Sequence, residues 1–478
     1  MNKLVLAFSC AFFTTVSLAG QAQQFGPLVS YPVGQVGVNP RQILTADFTG
    51  DGYADLATGN FVTHEVAILR NQGDGTFAPA VTYPLCSDCT PYGLAAGDVD
   101  GDGHSDLVTA NYSTPFVSVV RNKGDGTFAI SQEYPLANNI SQGQDIALAD
   151  VNGDGALDIL LTTLGTPTLS VLLNQGRGQF GPCQAYSYAL TAVIAHLTVA
   201  DFDRDGRPDV AITHFTNFTS STGHWVSVFY NQGNGQFRLP TDYALAANTA
   251  PFGITAADLN ADGYPDLLTA NSGTDDVGVL LNDGTGSFVK PRYVSTGLAS
   301  QPLRVVVAPL AENGQPALVT ASYGFNGVGI VPQLAGSGSD FGSVITVAVE
   351  PAGQPSSVVV ADFDHNGRLD VATCNSAKGS VTVRLNQLPL AAAEPTLAAV
   401  AGAYPNPVRA GTPLQVLLPA GLEAALVDLL GRHVWQGLGP VSAGPLRVPT
   451  QSLAPGCYYL QLSRPTTGWL ATQKVIVY

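Results

Sequence analysis

Short apolar runs separated by Gly, Asn and Asp recur along most of this 478-residue chain, always in the same order. An apolar segment such as Gln42-Ile43-Leu44-Thr45-Ala46 leads into an acidic stretch, and Asp55-Leu56-Ala57-Thr58-Gly59-Asn60 leaves it. Then come an alternating segment, Val66-Ala67-Ile68-Leu69-Arg70-Asn71, and the turn Gln72-Gly73-Asp74-Gly75. Thr76-Phe77 leads from that turn into Val81-Thr82-Tyr83-Pro84. Runs of this length bounded by turn residues predict strands joined by hairpins, four per repeat. Later turns, NKGDGTF, NQGRGQF, NQGNGQF and NDGTGSF, keep the spacing. Four strands in about 50 residues, repeated along a chain, is the pattern of a β-propeller blade.

The acidic stretch follows D-x-[DNT]-x-[DN]-G-x-x-D. It reads DFTGDGYAD from Asp47, DVDGDGHSD from Asp98, DVNGDGALD from Asp150, DFDRDGRPD from Asp201, DLNADGYPD from Asp258 and DFDHNGRLD from Asp362. The first five begin 51, 52, 51 and 57 residues apart, and the last gap is 104, so one copy is missing near residue 310. AENGQPALVTASYG aligns with NADGYPDLLTANSG of the repeat before, which places a sixth blade over Ala311 to Gly324. Ala317 stands there in place of the closing aspartate, so that blade is expected to lack a metal. The seventh repeat stops after Val381-Thr382-Val383-Arg384-Leu385-Asn386-Gln387, without a fourth strand. Phe25-Gly26-Pro27-Leu28-Val29-Ser30-Tyr31-Pro32 resembles the fourth strands elsewhere and is expected to complete that blade. Closure would leave no long open sheet edge.

The fold class expected is all-β: a seven-bladed β-propeller over residues 23–387, followed by a small β-sandwich domain over 403–478. An Ala/Pro-rich linker, residues 388–402, would join them. The sandwich strands are read at Leu414 to Leu418, Ala424 to Leu430, Tyr458 to Leu462 and Gln473 to Val477.

Composition supports a turn-rich protein, with 52 glycines, 32 prolines and only 12% charged residues. A net charge of −16 argues against nucleic-acid binding, which needs Lys and Arg for phosphate. The six loops hold 20 of the 30 aspartates, and one divalent cation in each would bring the net charge to about −4. Residues 1–22 read as a signal peptide: Lys3, an apolar run from Leu4 to Leu18, then Gly20-Gln21-Ala22. No later apolar run is long enough for a transmembrane segment. Export follows, to the medium or the cell surface. Cys86 and Cys89, in a connecting loop, read as a local disulfide or idle thiols, with zinc or redox chemistry as the alternative.

Alternate positions of the acidic loop can turn oxygens toward one centre. Side chains at positions one, three, five and nine and the backbone carbonyl at seven would be ligands, with Gly at six allowing the turn. The candidates in blade one are Asp47, Thr49, Asp51 and Asp55 with the carbonyl of Tyr53; in blade two, Asp98, Asp100, Asp102 and Asp106 with that of His104. Blade three offers Asp150, Asn152, Asp154, Asp158 and the Ala156 carbonyl; blade four offers Asp201, Asp203, Asp205, Asp209 and the Arg207 carbonyl. Blade five offers Asp258, Asn260, Asp262, Asp266 and Tyr264, and blade seven Asp362, Asp364, Asn366, Asp370 and Arg368, the carbonyls again at position seven. An all-oxygen, flexible donor set suits calcium better than magnesium, zinc or copper, so about six calcium sites are expected. Left empty, carboxylates about 4 Å apart repel by roughly 1 kcal/mol per pair even in water. Thr49 should weaken the first site. An EF-hand is excluded, because position twelve is Thr58, Thr109, Leu161, Ile212, Thr269 or Thr373 and the flanks are strands.

Loop, following strand and N-x-G-x-G-x-F turn together resemble the FG-GAP/VCBS repeat proteins, whose type case is the integrin α-subunit β-propeller. The resemblance spans residues 25–387. It implies that the calcium loop joins the first two strands of each blade on one face and that partners bind the opposite face. There the connecting loops carry Phe61, His64, Tyr112, Phe116, Phe215, Phe218, Trp225, Phe252, Tyr323 and Phe325. The C-terminal module resembles the type IX secretion (Por) sorting domain, through Ala403-Tyr404-Pro405-Asn406-Pro407, Leu429-Leu430-Gly431-Arg432, Gly456-Cys457-Tyr458-Tyr459-Leu460 and Lys474-Val475-Ile476-Val477. This implies Sec export and then passage through the type IX secretion machinery. An accessory carbohydrate-binding sandwich is the alternative.

The functional expectation is a monomeric calcium-binding propeller that acts as an adhesion or binding module for an extracellular glycan or cell-surface protein. HExxH, GxSxG and phosphate-loop motifs are missing from the sequence. The alternative is a polysaccharide hydrolase or lyase on the same scaffold, with no catalytic residues to name.

Overall fold

The computed structural model describes residues 24–387 apart from position 36 and five loops, 165–167, 188–192, 216–222, 311–314 and 335–339. Between 403 and 477 it describes strands and a few connecting residues. The expected signal segment and linker lie outside the described residues. The chain divides into two compact units, residues 1–387 and 388–478.

Among the described residues, the first unit holds seven four-stranded antiparallel sheets. Blade one runs Pro40–Ala46, Asp55–Asn60, Glu65–Leu69 and Val81–Pro84, each strand paired with the next. The first strands contact one another in ring order, and Pro355–Ala361 of blade seven returns to Pro40–Ala46 of blade one. Blade six is present as Pro302–Ala308, Ala317–Ser322, Gly327–Pro332 and Ile345–Ala348. The second strand of a blade, such as Asp55–Asn60 or Asp266–Asn271, is buried at every position because neighbouring blades cover both its faces.

The core lies between blades. Apolar clusters fill all seven blade interfaces, each built from two adjacent blades. The residue after the opening aspartate enters the core and meets the turn phenylalanine of the next blade. Phe48 packs edge-on against Phe128, Phe202 against Phe288 and Phe363 against Phe77, at 5.6, 5.5 and 5.5 Å between ring centres. Phe48, Phe202 and Phe363 are fully buried, which stabilises each interface by about 2–3 kcal/mol per ring. A blade has no private core, so stability requires a closed ring.

Closure uses both ends of the propeller sequence. Val29–Pro32 pairs with Ser380–Arg384 as the fourth strand of blade seven. Further in, Phe25 stands opposite Asn386, as Phe77 stands opposite Asn71 and Phe288 opposite Asn282. The N-x-G-x-G-x-F turn of blade seven is therefore split, its asparagine from position 386 and its phenylalanine from position 25. Phe25 packs on the cluster between blades six and seven.

The second unit forms two antiparallel sheets. One joins Ala403–Tyr404, Leu414–Leu418 and Gly444–Val448; the other joins His433–Leu438, Glu423–Val427, Gly456–Arg464 and Gly468–Val477. His433–Leu438 and Gly444–Val448 are missing from the expected strands, because Gly437, Gly444 and Pro445 interrupt their alternation. The strand expected over Ala424 to Leu430 is described as Glu423–Val427, and residues 428–432 lie outside the description. How the sheets pack rests on side chains outside the described ones. No helix among the described residues is long and apolar enough to cross a membrane. Cys86 and Cys89 are joined as a disulfide, as the local-disulfide reading expects.

Candidate metal centres

Every acidic loop joins the first and second strands of its blade, so the six open on one face of the ring. The opening aspartate organises the turn. Asp47 Oδ1 accepts the Gly50 and Asp51 N–H groups at 2.7 and 3.2 Å, and Oδ2 accepts that of Gly52 at 2.8 Å. Asp98 and Asp150 repeat the set; Asp201, Asp258 and Asp362 hold the N–H groups of positions five and six. Position six is always a glycine with φ between 82° and 92°. Position four is also left-handed, through Gly50, Gly101 and Gly153 and, at φ of 55–60°, Arg204, Ala261 and His365. The non-glycine residues hid that second constraint from the sequence.

Position nine is the deepest. Asp55 is fully buried; its Oδ2 accepts Phe48 N–H at 3.0 Å and its Oδ1 accepts Asn71 N–H at 2.7 Å. Asp106, Asp158, Asp209, Asp266 and Asp370 make the same two bonds. The asparagine so engaged reaches on across the interface. Asn71 Nδ2 donates to Ala54 O in its own loop at 3.0 Å and to Phe363 O of the preceding blade at 2.9 Å. Asn122, Asn174, Asn231 and Asn282 span the same gap to Phe48, Val99, Val151 and Phe202. From sequence this asparagine reads only as turn punctuation; its spacing from the closing aspartate, 16 residues in five blades and 22 in blade four, was the available signal.

Burial pushes the position-nine carboxyls up to about 6 in Asp55, Asp106, Asp158 and Asp266, and to about 7 in Asp209 and Asp370. The two N–H bonds oppose that rise, and neighbouring loop carboxylates add to it. The ionised form is thus costly at neutral pH unless a cation joins it.

Carboxylate oxygens of Asp98, Asp100 and Asp106 lie within 4.8 Å of one another, as do those of Asp201, Asp203 and Asp209, and of Asp362, Asp364 and Asp370. These groups could hold metal ions, and their hard oxygen donors fit a divalent cation. Thr49, Asn152 and Asn260 supply a neutral oxygen at position three in blades one, three and five. Position five stands outside the gathered groups. Asp51, Asp102, Asp154, Asp205 and Asp262 use Oδ1 to accept the N–H of Tyr53, His104, Ala156, Arg207 and Tyr264, and Asn366 accepts that of Arg368. Neighbouring loops also touch: His365 packs on Tyr53 at 4.5 Å, and the Arg204 guanidinium lies 4.9 Å over the Tyr264 ring.

The opposite mouth of the ring carries a second polar site. Asp145 of blade three, 3% exposed, accepts both Nη groups of Arg304 in blade six at 3.1 Å. His196 Nδ1 lies 3.0 Å from the same carboxylate, and Leu197 N–H donates to it at 3.2 Å. Burial alone would raise the Asp145 carboxyl; Arg304 and His196 hold it well below the usual range. Burial, with Arg304 beside it, lowers His196 to about 4 and keeps it neutral. The expected aromatics of this face are mostly half-buried. Phe61 and Tyr112 pack with Tyr92, Phe252 on His196 and Trp225 on His214, while His64 Nδ1 lies 3.1 Å from Cys89 O. Phe116, Tyr323 and Phe325 are half-buried; the Phe215 side chain and Phe218 lie outside the described residues. In blade four, Ser227 stands between His214 Nε2 at 2.6 Å and Asp242. A nucleophilic triad places histidine in the middle, so this buried serine reads as a link between three strands.

The profile of the FG-GAP-like repeat family matches residues 47–109, 98–161, 161–212, 217–269 and 258–320. Cartilage acidic protein 1 of Xenopus tropicalis is 27% identical over 188 residues, which cover 37% of this chain and 28% of that protein. Integrin alpha-IIb of Homo sapiens is 29% identical over 172 residues, 29% of this chain and 15% of that protein. The chain spans less than a third of the length of these curated relatives. Among solved structures, BBS1N in complex with ARL6DN aligns with a TM-score of 0.50 at 13% identity, covering 76% of this chain and 96% of that one. That likeness is one of fold.

Proposed function

This chain belongs to the FG-GAP-like repeat family, and from that premise we propose that it is an exported, calcium-binding propeller that works as a non-enzymatic binding module for an extracellular glycan or protein. The observation that carries the reading is the wiring of the position-nine aspartates. Each accepts the N–H of its blade's turn asparagine, and in blades one to five that asparagine ties one blade to the preceding one, as Asp55 does through Asn71 to Phe363. A calcium ion bound beside Asp55, Asp106, Asp158, Asp209, Asp266 and Asp370 would supply charge neutralisation where burial disfavours the carboxylate. The opening and third-position residues would complete the oxygen set. Metal in that position stiffens the ring, which leaves the opposite face for a partner. The N-terminal residues 1–22 are assigned to Sec export and residues 403–478 to type IX sorting, giving a secreted or surface location.

The test is binding of the full chain to an array of glycans and to intact cells, in calcium and in chelator, with product analysis of every hit. Saturable binding that chelator abolishes, with no new reducing ends or unsaturated sugars, is the expected result. Product formation would replace this reading with the polysaccharide-degrading one.

A further inference from the structure

All seven first strands carry a bulge at the same level, close to the mouth opposite the acidic loops. In blade one it falls between Pro40 and Gln42 and in blade two between Pro91 and Gly93, so Arg41 and Tyr92 are the unpaired residues. A bulge re-aims its side chain out of the ladder, and here two neighbouring blades re-aim a guanidinium and a phenol together. The Arg41 guanidinium lies 5.2 Å over the Phe61 ring and 5.5 Å over that of Tyr92. Tyr112 closes the group, 5.8 Å from Phe61 and 6.0 Å from Tyr92. All four side chains are half-buried, so they are held by one another yet reachable from solvent.

Arg41 Nε, a buried donor, has no partner among the described residues, and neither does the buried acceptor Oδ1 of Asn39, two residues earlier in the chain. Asn39 also anchors the site, since its carbonyl accepts the Phe61 N–H at 3.0 Å. Unsatisfied buried groups in a native fold call for an ion, water or ligand. The charge is equally uncompensated. Asp145 is the nearby carboxylate, and it is already taken by Arg304 and His196. Tyr92 senses both guanidiniums and that carboxylate, so they share one neighbourhood. With His196 neutral, two guanidiniums face one carboxylate around Tyr92, a local excess of positive charge on a chain whose net charge is −16.

We propose that Asn39, Arg41, Phe61, Tyr92 and Tyr112 form a binding site for an acidic saccharide. Its carboxylate or sulfate would take the Arg41 fork, a ring hydroxyl would donate to Asn39 Oδ1, and the C–H face of the sugar would lie on the aromatic group. The inference rests on the binding-module reading above and names the ligand class.

The experiment uses the full chain in calcium against matched oligosaccharides: uronate-bearing, sulfate-bearing and neutral. Wild type is expected to bind at least one acidic member at least about tenfold more tightly than its neutral counterpart. Arg41→Gln should abolish that preference, and Arg41→Lys, which keeps the charge but not the fork, should weaken it several-fold. Both variants should stay folded and melt within a few degrees of wild type, because the arginine side chain donates no hydrogen bond among the described residues and gives up only its packing on the two rings. The uronate and sulfate arms show which anion is read. Binding of neutral sugars or of a cell-surface protein, unchanged in Arg41→Gln, would overturn this site and leave the binding module standing. Failure of every saccharide and every cell surface would overturn both.

Discussion

Blades five and six have the same four strands, yet only blade five has the acidic loop. In blade five, Leu259 and Asn282 give their N–H groups to Asp266, and Asn282 Nδ2 crosses to Phe202 O at 2.9 Å. In blade six, Ala317 stands where Asp266 would, Leu310 N–H donates to Ala308 O, and Gln333 N–H to Pro316 O. The link to the preceding blade survives: Gln333 Nε2 reaches Leu259 O at 2.8 Å. Aspartate and asparagine have thus been replaced together, by alanine and a longer amide. Strand pairing and the blade-to-blade link do not depend on the carboxylates; what the acidic loop adds is a rigid, cation-ready turn at one end of the blade.

The largest effect separating the two kinds of blade should come from chelation. Calcium at about 100 times a site's dissociation constant stabilises the fold by roughly 2.7 kcal/mol for that site. Removing it from six loops should lower the melting temperature steeply. Hydrogen exchange should then rise in the turns after Asp47, Asp98, Asp150, Asp201, Asp258 and Asp362 but stay constant over residues 309–316. An equal rise in blade six would break the distinction. Next in size, Asp266→Ala should cost about 2–4 kcal/mol, since two buried N–H groups lose their acceptor. Calcium titration should also count one ion fewer.

A pH effect follows from the raised carboxyls. In chelator, the six position-nine groups titrate near 6–7 when folded, against 3.8 when unfolded. Their contribution is full below about pH 4 and is lost as pH rises through 6–7, so the metal-free protein should melt higher at pH 5 than at pH 7.5. His196 and His214, lowered to about 4, act in the opposite sense as pH falls below 6.5, but they are two against six. In calcium the trend should reverse, because protons and metal compete for the same oxygens. Scanning calorimetry at the two pH values, with and without calcium, checks the sign. The smallest effect is Gln333→Ala, about 1 kcal/mol for one interblade bond, with no change in calcium stoichiometry.

Much of this was legible in the residues. The six loops, the missing copy at Ala317 and the likeness of residues 25–32 to other fourth strands led to seven blades and a ring closed by the N-terminal segment, because turn chemistry and alternation are local. The pairing of Phe25 with Asn386 follows the same logic at the level of a single motif. The asparagine link was not legible, since its partners lie 74 to 292 residues away. Nor were the strands His433–Leu438 and Gly444–Val448, where glycine and proline blur the period.

The two faces divide along the same line. Residue types at short spacing determine the acidic loops, since every ligand candidate and most of the hydrogen bonds that shape the turn lie within nine residues. The opposite mouth is different. Asp145, His196 and Arg304 come from three blades, and Arg41 meets Tyr92 only because bulges in adjacent strands turn them toward each other. Ring closure brings those residues together, and no pattern along the chain records the angle at which one blade stands to the next.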